Sequence, residues 1–358
     1  VAVVFSACAA APPVTTQAPS SGTPACAWFG DAREDVLYFG ISPFWRALRE
    51  AGGDPRAELG FAGAREIGRF DLAQGRMLAP LAITPAPARS GVWDVLAHPN
   101  GWIYFTTFWE SAGRVDPASG RIEWFEAAGD ALNELALLPD GRVLASRYGR
   151  DGASGSVVVL SERGELVAEH ALAAGDGVVA AAKSVAYDAA RDAVWVNTDL
   201  LPSSGAAPAH DARVISLRDG RELARWSEPE LQFMTFAANG TGFLVEHSAG
   251  LLVLRVLSPG ARGPLALAGR FIPLDEAFPA ALDFAQDVKL TPEGNAIVTR
   301  WSGVVHVASP SGEVRRAELP RREGALYYTG VASNGEICAT RCGAVEVVCE
   351  EAPRGAAR

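Results

Sequence analysis

Three acidic residues stand seven positions before a turn glycine in similar stretches of chain: Asp94 before Gly101, Glu134 before Gly141 and Asp287 before Gly294. Six positions after those glycines come Thr107, Arg147 and Arg300, and the same spacing around Gly335 gives Tyr328 and Arg341. If each glycine closes a two-residue hairpin, paired residues keep a constant index sum, and each first residue faces its hydroxyl or arginine partner across two strands. As cross-strand ion pairs these residues contribute about 0.2–1 kcal/mol each and hold strands in register. Gathered at one end of a ring, Asp94, Glu134 and Asp287 with Arg147, Arg300 and Arg341 instead line a polar funnel. Arginines there favour an anionic ligand, whereas oxygen donors from several loops favour Ca2+ or Mg2+.

The elements that must carry these residues are hairpins. LAHPNGWIYFTTF (96–108), LLPDGRVLASRY (137–148), LTPEGNAIVTRW (290–301) and VASNGEICATRC (331–342) each read as an alternating run, a polar-plus-glycine turn and a β-rich run. Looser versions lie at 29–40, 187–199 and 237–247, and most are followed by a second hairpin, as in GRVDPASGRIEWF (113–125). Asn-Gly and Asp-Gly between alternating runs are strong hairpin signals. Four strands every 40–50 residues, with no competing helical periodicity, is the period of a β-propeller blade. Blade starts near residues 25, 92, 132, 183, 230, 284 and 325 predict an all-β propeller of four-stranded antiparallel blades, seven in number, with six as the alternative. The last blade lacks a fourth strand in its own text, so a strand from around 12–20 is expected to complete it.

The stretch GWIYFTTFWESAGRVDPASGRIEWFE (101–126) resembles the blade repeat of streptogramin-lyase-like propellers and is similar to blades of the gluconolactonase/regucalcin and NHL-repeat groups. That resemblance covers one blade well and the others weakly. It implies a divalent metal at the top face. By residue type, the Glu, Asn and Asp cage of the gluconolactonase group would fall on Glu134, Asn197 and Asp287. The His/Glu constellation of the lyases has its nearest counterpart in Glu246 and His247, although adjacent strand residues point to opposite sides. His98, His170 and His306 read as structural. Two insertions, 43–64 and 200–211, face the same end; the first holds Phe44, Trp45 and a possible helix over Trp45–Glu50, the second His210. Trp93, Trp109 and Trp301 lie near that end as stacking or packing residues. No G-x-S-x-G elbow, P-loop, H-E-x-x-H or dinucleotide fingerprint occurs, so a standard triad hydrolase has no support.

Composition and address narrow the rest. With 49% hydrophobic and 21% charged residues the chain is globular, and a net charge of −10 without any Lys/Arg run excludes a nucleic-acid binder. The opening VAVVFSAC resembles the end of a bacterial lipoprotein signal, with Cys8 as the lipidated residue. Residues 9–24 read as a flexible tether, 25–350 as one propeller domain and 351–358 as a tail. Cys26, Cys338, Cys342 and Cys349 suit two disulfides with three possible connectivities. The expectation is a monomeric envelope lipoprotein, on the periplasmic side or the outer membrane, touching the membrane only through its anchor. It would bind a small anionic or sugar-like ligand, or an envelope protein, at the top face; the alternative is a divalent-metal hydrolase or lyase at that face. A role as a structural assembly partner would instead require an exposed apolar patch on an outer face.

Overall fold

The computed structural model describes residues 14–17, 26–42, 66–84, 91–107, 111–149, 152–204, 209–226, 230–248, 251–258, 270–274, 285–291, 293–300, 303–318, 327–331, 336–341 and 346–351. These form seven four-stranded antiparallel sheets. Blade 1 comprises Cys26–Arg33, Val36–Ser42, Glu66–Asp71 and Arg76–Ala82; blade 2 Val95–Ala97, Ile103–Thr106, Ala112–Val115 and Ile122–Trp124. Blade 3 runs through Leu132–Leu137, Val143–Arg147, Ser156–Leu160 and Leu166–Ala171, and blade 4 through Val178–Asp188, Ala193–Pro202, Ala209–Ser216 and Glu222–Trp226. Blade 5 holds Glu230–Phe236, Gly242–Ser248, Leu251–Leu257 and Arg270–Pro273; blade 6 holds Ala285–Leu290, Ala296–Arg300, Val304–Ala308 and Val314–Glu318. In blade 7, Tyr327–Val331, Glu336–Arg341 and Glu346–Glu351 are joined by Val14–Gln17, which pairs antiparallel with the third strand and places Val14 opposite Cys349. The tether thus supplies the missing fourth strand, as expected from the sequence.

Each blade's first strand lies against the first strand of the next blade, and that of blade 7 returns to blade 1, so the first strands form a closed inner ring. The core follows the same circle. Among the described residues, seven hydrophobic clusters each bridge two neighbouring blades; one joins Leu144, Val157 and Val159 of blade 3 to Ala182, Val194 and Val196 of blade 4. Middle strands are covered on both faces, which explains the continuously buried runs SVVVL (156–160) and AIVTR (296–300) where a one-faced sheet would alternate. The fourth strand of blade 3 is mostly exposed, with burial limited to alternate positions. Cys338 and Cys349 form a disulfide across the second and third strands of blade 7, with Cys349 on the strand that pairs with the closing strand. The side chain of Cys26 and the whole of Cys342 lie outside the described residues, as do Cys8, Phe44, Trp45, the expected helix over 45–50, Trp109 and Trp301.

The inner hairpins differ from expectation by one residue. Leu138 N–H donates to Arg142 O and Gly141 N–H to Leu138 O, which encloses three loop residues, with the glycine alone at positive φ (86°). Gly101 and Gly294 repeat this geometry. It is a type I turn closed by a glycine in the left-handed region, the common three-residue hairpin, and it moves every cross-strand partner by one position.

Candidate functional site

The shift in register redraws the site. Asp94 lies opposite Thr106, with its N–H donating to Thr106 Oγ1 at 3.2 Å, and Glu134 N–H reaches Ser146 Oγ at 3.0 Å. Asp287 pairs with Thr299, and Tyr328 with Thr340. The expected partners Arg147, Arg300 and Arg341 instead oppose Leu132, Ala285 and Tyr327, and Thr107 is not opposite Asp94. Arg147 turns outward, binding Glu169 Oε1 at 2.7 Å and also the Ala128 carbonyl. The acids of the inner ring therefore face hydroxyls rather than arginines.

They converge on a lysine. Lys289 Nζ lies 3.9 Å from Asp287 Oδ2, and the Lys289 side chain keeps 32% exposure beside the nearly buried Asp287. Burial works against the Lys289 ammonium, but the charges of Asp287, Asp94, Asp31 and Glu134 outweigh it and raise its pKa. For the acids, burial dominates in the opposite sense. It pushes Asp94 up to about 7 against the attraction of Lys289 and hydrogen bonds from two backbone N–H groups. Glu134 is driven well above the carboxylate range by burial and then by Asp94 and Asp287, and Asp31 is raised by burial. Four carboxylates and one ammonium thus share a space at the ring axis that disfavours full ionisation.

Several of these acids are also structural clips. Asp31 accepts the N–H groups of Ala32 and, across the blade boundary, Ala97 at 2.9 and 3.0 Å. Asp94 does the same for Val95 and Leu135 of blade 3 at 2.8 and 2.7 Å, and Asp287 accepts from Val288 at 2.8 Å. Glu134 is the exception: partly exposed, its carboxylate has no hydrogen bond among the described residues.

Bulges in the inner strands set where these side chains point. Register shifts occur at Ala27/Gly30, Leu132/Leu135, Ala182/Ser184, Leu231/Phe233 and Ala285/Asp287, in five of the seven inner strands. A bulge re-aims a side chain and frees a carbonyl. Those carbonyls are taken up by the preceding blade: Thr106 Oγ1 donates to Asn133 O at 2.6 Å, Ser146 Oγ to Lys183 O at 3.1 Å, and Asn197 Nδ2 to Gln232 O at 3.0 Å.

A second cluster rises above blade 4. The segment 200–211, expected as a loop, largely extends the hairpin, and Asp199 pairs with His210 across it. Asp199 Oδ1 lies 2.7 Å from His210 Nδ1 and 3.5 Å from Lys183 Nζ; Asp199 Oδ2 is 3.5 Å from the Tyr148 hydroxyl of blade 3. Burial, then Asp199, pushes the Tyr148 phenol up to about 12. Lys183 also acts on Glu134, linking this cluster to the ring.

The remaining candidates are placed elsewhere or engaged. Glu246 is fully buried and bound by Arg255 Nη2 at 2.6 Å. His98 accepts Asn100 N–H at Nδ1 and gives its Nε2 proton to Gly141 O, the structural role expected of it. The side chains of His247, Tyr328 and Arg341 lie outside the described residues. Asp31, Lys183, Lys289, Tyr148 and Asp199 were not singled out from sequence. One signal was available: the chain has only two lysines, and in Asp287-Val-Lys289 alternate strand positions share a face.

The donor set does not fit a divalent ion at Glu134, Asn197 and Asp287. The Lys289 ammonium sits among the acids and one Asp287 oxygen is bound to Val288 N–H; Asn197 donates its Nδ2 to Gln232 O and keeps a buried Oδ1 without a hydrogen bond, a single neutral donor that does not offset the ammonium. Among the described residues no three His, Cys, Asp or Glu side chains are gathered as metal ligands.

No protein-family profile matches the chain, and no curated protein sequence does. Among solved structures it is similar to a catalytically inactive histidine-to-alanine variant of virginiamycin B lyase from Staphylococcus aureus with quinupristin. The TM-score is 0.61 at 10% identity, covering 95% of this chain and 100% of that one. At that identity the likeness establishes a shared β-propeller fold.

Proposed function

We propose that the chain is a bacterial envelope lipoprotein, anchored through Cys8, whose propeller binds a small polar ligand at the top of its inner ring. The observation that carries this reading is Glu134, a carboxylate at the ring that forms no hydrogen bond among the described residues, near the half-buried Lys289. Its neighbours Asp31 and Asp94 are occupied by backbone N–H groups, so Glu134 is the acceptor available to an incoming hydroxyl or amine. Four acids against Lys289 make a hydroxyl-rich, sugar-like ligand a better match than an anionic one. A metal-dependent lyase or hydrolase at this face draws support from the likeness to virginiamycin B lyase, but the donor set gives it no metal.

The test uses a Cys8→Ser variant of the full chain, because removing the tether would also remove the closing strand Val14–Gln17. A saturable rise in melting temperature with members of a neutral and amino-sugar panel, abolished in Glu134→Gln, is expected. No shift with any of them overturns the ligand-binding reading. Incorporation of labelled fatty acid into the parent but not into Cys8→Ser tests the anchor separately.

A further inference from the structure

The closing strand also fixes which end of the ring faces an anchor at Cys8. The acids lie toward the starting ends of the first strands: Asp94 just before Val95–Ala97, Glu134 and Asp287 each third in its strand. In blade 7 the upper row at that end reads Tyr327, Arg341, Glu346 and Gln17 from the axis outward. The row three residues lower reads Gly330, Cys338, Cys349 and Val14, so the chain before Val14 leaves at the lower rim. Five residues, 9–13, separate Cys8 from Val14, and this strap spans at most about 20 Å. On the other face the blade 4 hairpin continues from the Ser184–Asn197 pair to Val178–Pro202, about 17 Å of strand above the bulges. With that tip against a bilayer, Val14 would stand about 24 Å away, beyond the reach of the strap. Cys349 lies beside Val14 and is bridged to Cys338, which packs with Leu37 and Phe70 of blade 1, so a pull on the strap enters the ring at a cross-linked row.

We propose that the Cys8 anchor suspends the ring lower rim first, with a lipid bilayer beneath the lower end of blade 7 and the ring of acids opening toward solution. This rests on the reading of Cys8 as the anchor and adds the source of the ligand: a water-soluble compound reaches Glu134 directly, and a headgroup of the same bilayer does not. The length of the strap sets the approach. Glu336, Glu350 and Glu351 stand at the lower end of blade 7 and the chain carries a net charge of −10, which an anionic bilayer repels, so adhesion of a face to lipid does not compete with the strap.

The test puts a run of histidines in place of residues 1–8, keeping the closing strand, and attaches the chain to vesicles of phosphatidylcholine and a nickel-chelating lipid. That holds the same point whether or not Cys8 is acylated. A fluorophore is coupled to p-azidophenylalanine in place of Glu293, at the lower turn of blade 6, or of Ser204, at the upper end of the blade 4 hairpin, both exposed positions. Energy transfer to an acceptor lipid should be at least about threefold greater from position 293 than from 204, and inserting about 20 Gly-Ser residues before Val14 should remove most of that difference. Equal transfer without the insert, or greater transfer from 204, overturns the orientation. A difference that persists with the insert overturns the strap as its cause. Absence of fatty-acid incorporation at Cys8 overturns the anchor and with it the proposal, an outcome kept distinct because the histidine-held chain reports on orientation alone.

Discussion

Two sets of buried carboxylates in this ring solve the same problem differently. In blades 4 and 5 each acid has its own arginine: Asp211 binds Arg213 at 2.9 Å and Glu246 binds Arg255 at 2.6 Å, with all four side chains at 10% exposure or less. At the axis four acids share Lys289, and Asp31, Asp94 and Asp287 also accept backbone N–H groups. Burial raises Glu246 too, but there the hydrogen bond and charge of its own Arg255 act directly against it. At the axis burial raises Asp94 to about 7 and drives Glu134 well above the carboxylate range, with neighbouring acids adding to the rise and one shared ammonium only partly opposing it. Private pairs therefore mark scaffold, and shared charge marks the part of the ring that can respond to a ligand.

The contrast can be broken from the scaffold side first. Arg255→Met strands a fully buried Glu246 carboxylate and should cost about 3–5 kcal/mol in denaturant unfolding. The axial side differs in its pH dependence. Asp94 titrates at about 7 in the fold against 3.8 unperturbed, so the folded state binds the proton more tightly. Its contribution is complete below about pH 4 and lost as pH rises through 7, a swing of up to about 4 kcal/mol. Asp94→Asn should flatten that slope in melts between pH 4 and 8 while losing about 1 kcal/mol for an acceptor it can no longer offer. Lys289→Met should destabilise by about 1–2 kcal/mol at pH 8, discounted for its exposure, and by less at pH 5, where Asp94 is largely protonated. The smallest effect belongs to the exposed pair Arg147–Glu169, for which a double-mutant cycle should give about 0.2–1 kcal/mol of coupling. A coupling above 2 kcal/mol there would end the distinction between the two sets.

The fold was far more legible than the site. Repeated turn glycines and alternating runs locate all seven first strands to within a few residues, and the missing fourth strand of the last blade points to the N-terminal tether, where Val14–Gln17 pairs. The same repeats place Asp94, Glu134 and Asp287 at one height in the ring. Their partners were misassigned because turn residues such as Asp140-Gly141 suit both a two-residue and a three-residue loop, and one residue of difference exchanges every cross-strand neighbour.

What the sequence determined by itself is periodic and local: strand alternation, turn positions and the acids that recur with the repeat. What only the tertiary structure decided is who meets across blades. Asp31 reaches blade 2, Asp94 reaches blade 3, Lys289 meets acids from four blades, and Tyr148 closes on Asp199 of the next blade. Those encounters depend on ring closure and on bulges in the inner strands. A bulge inserts an extra residue without a distinctive sequence mark, and ring closure joins segments separated by most of the chain.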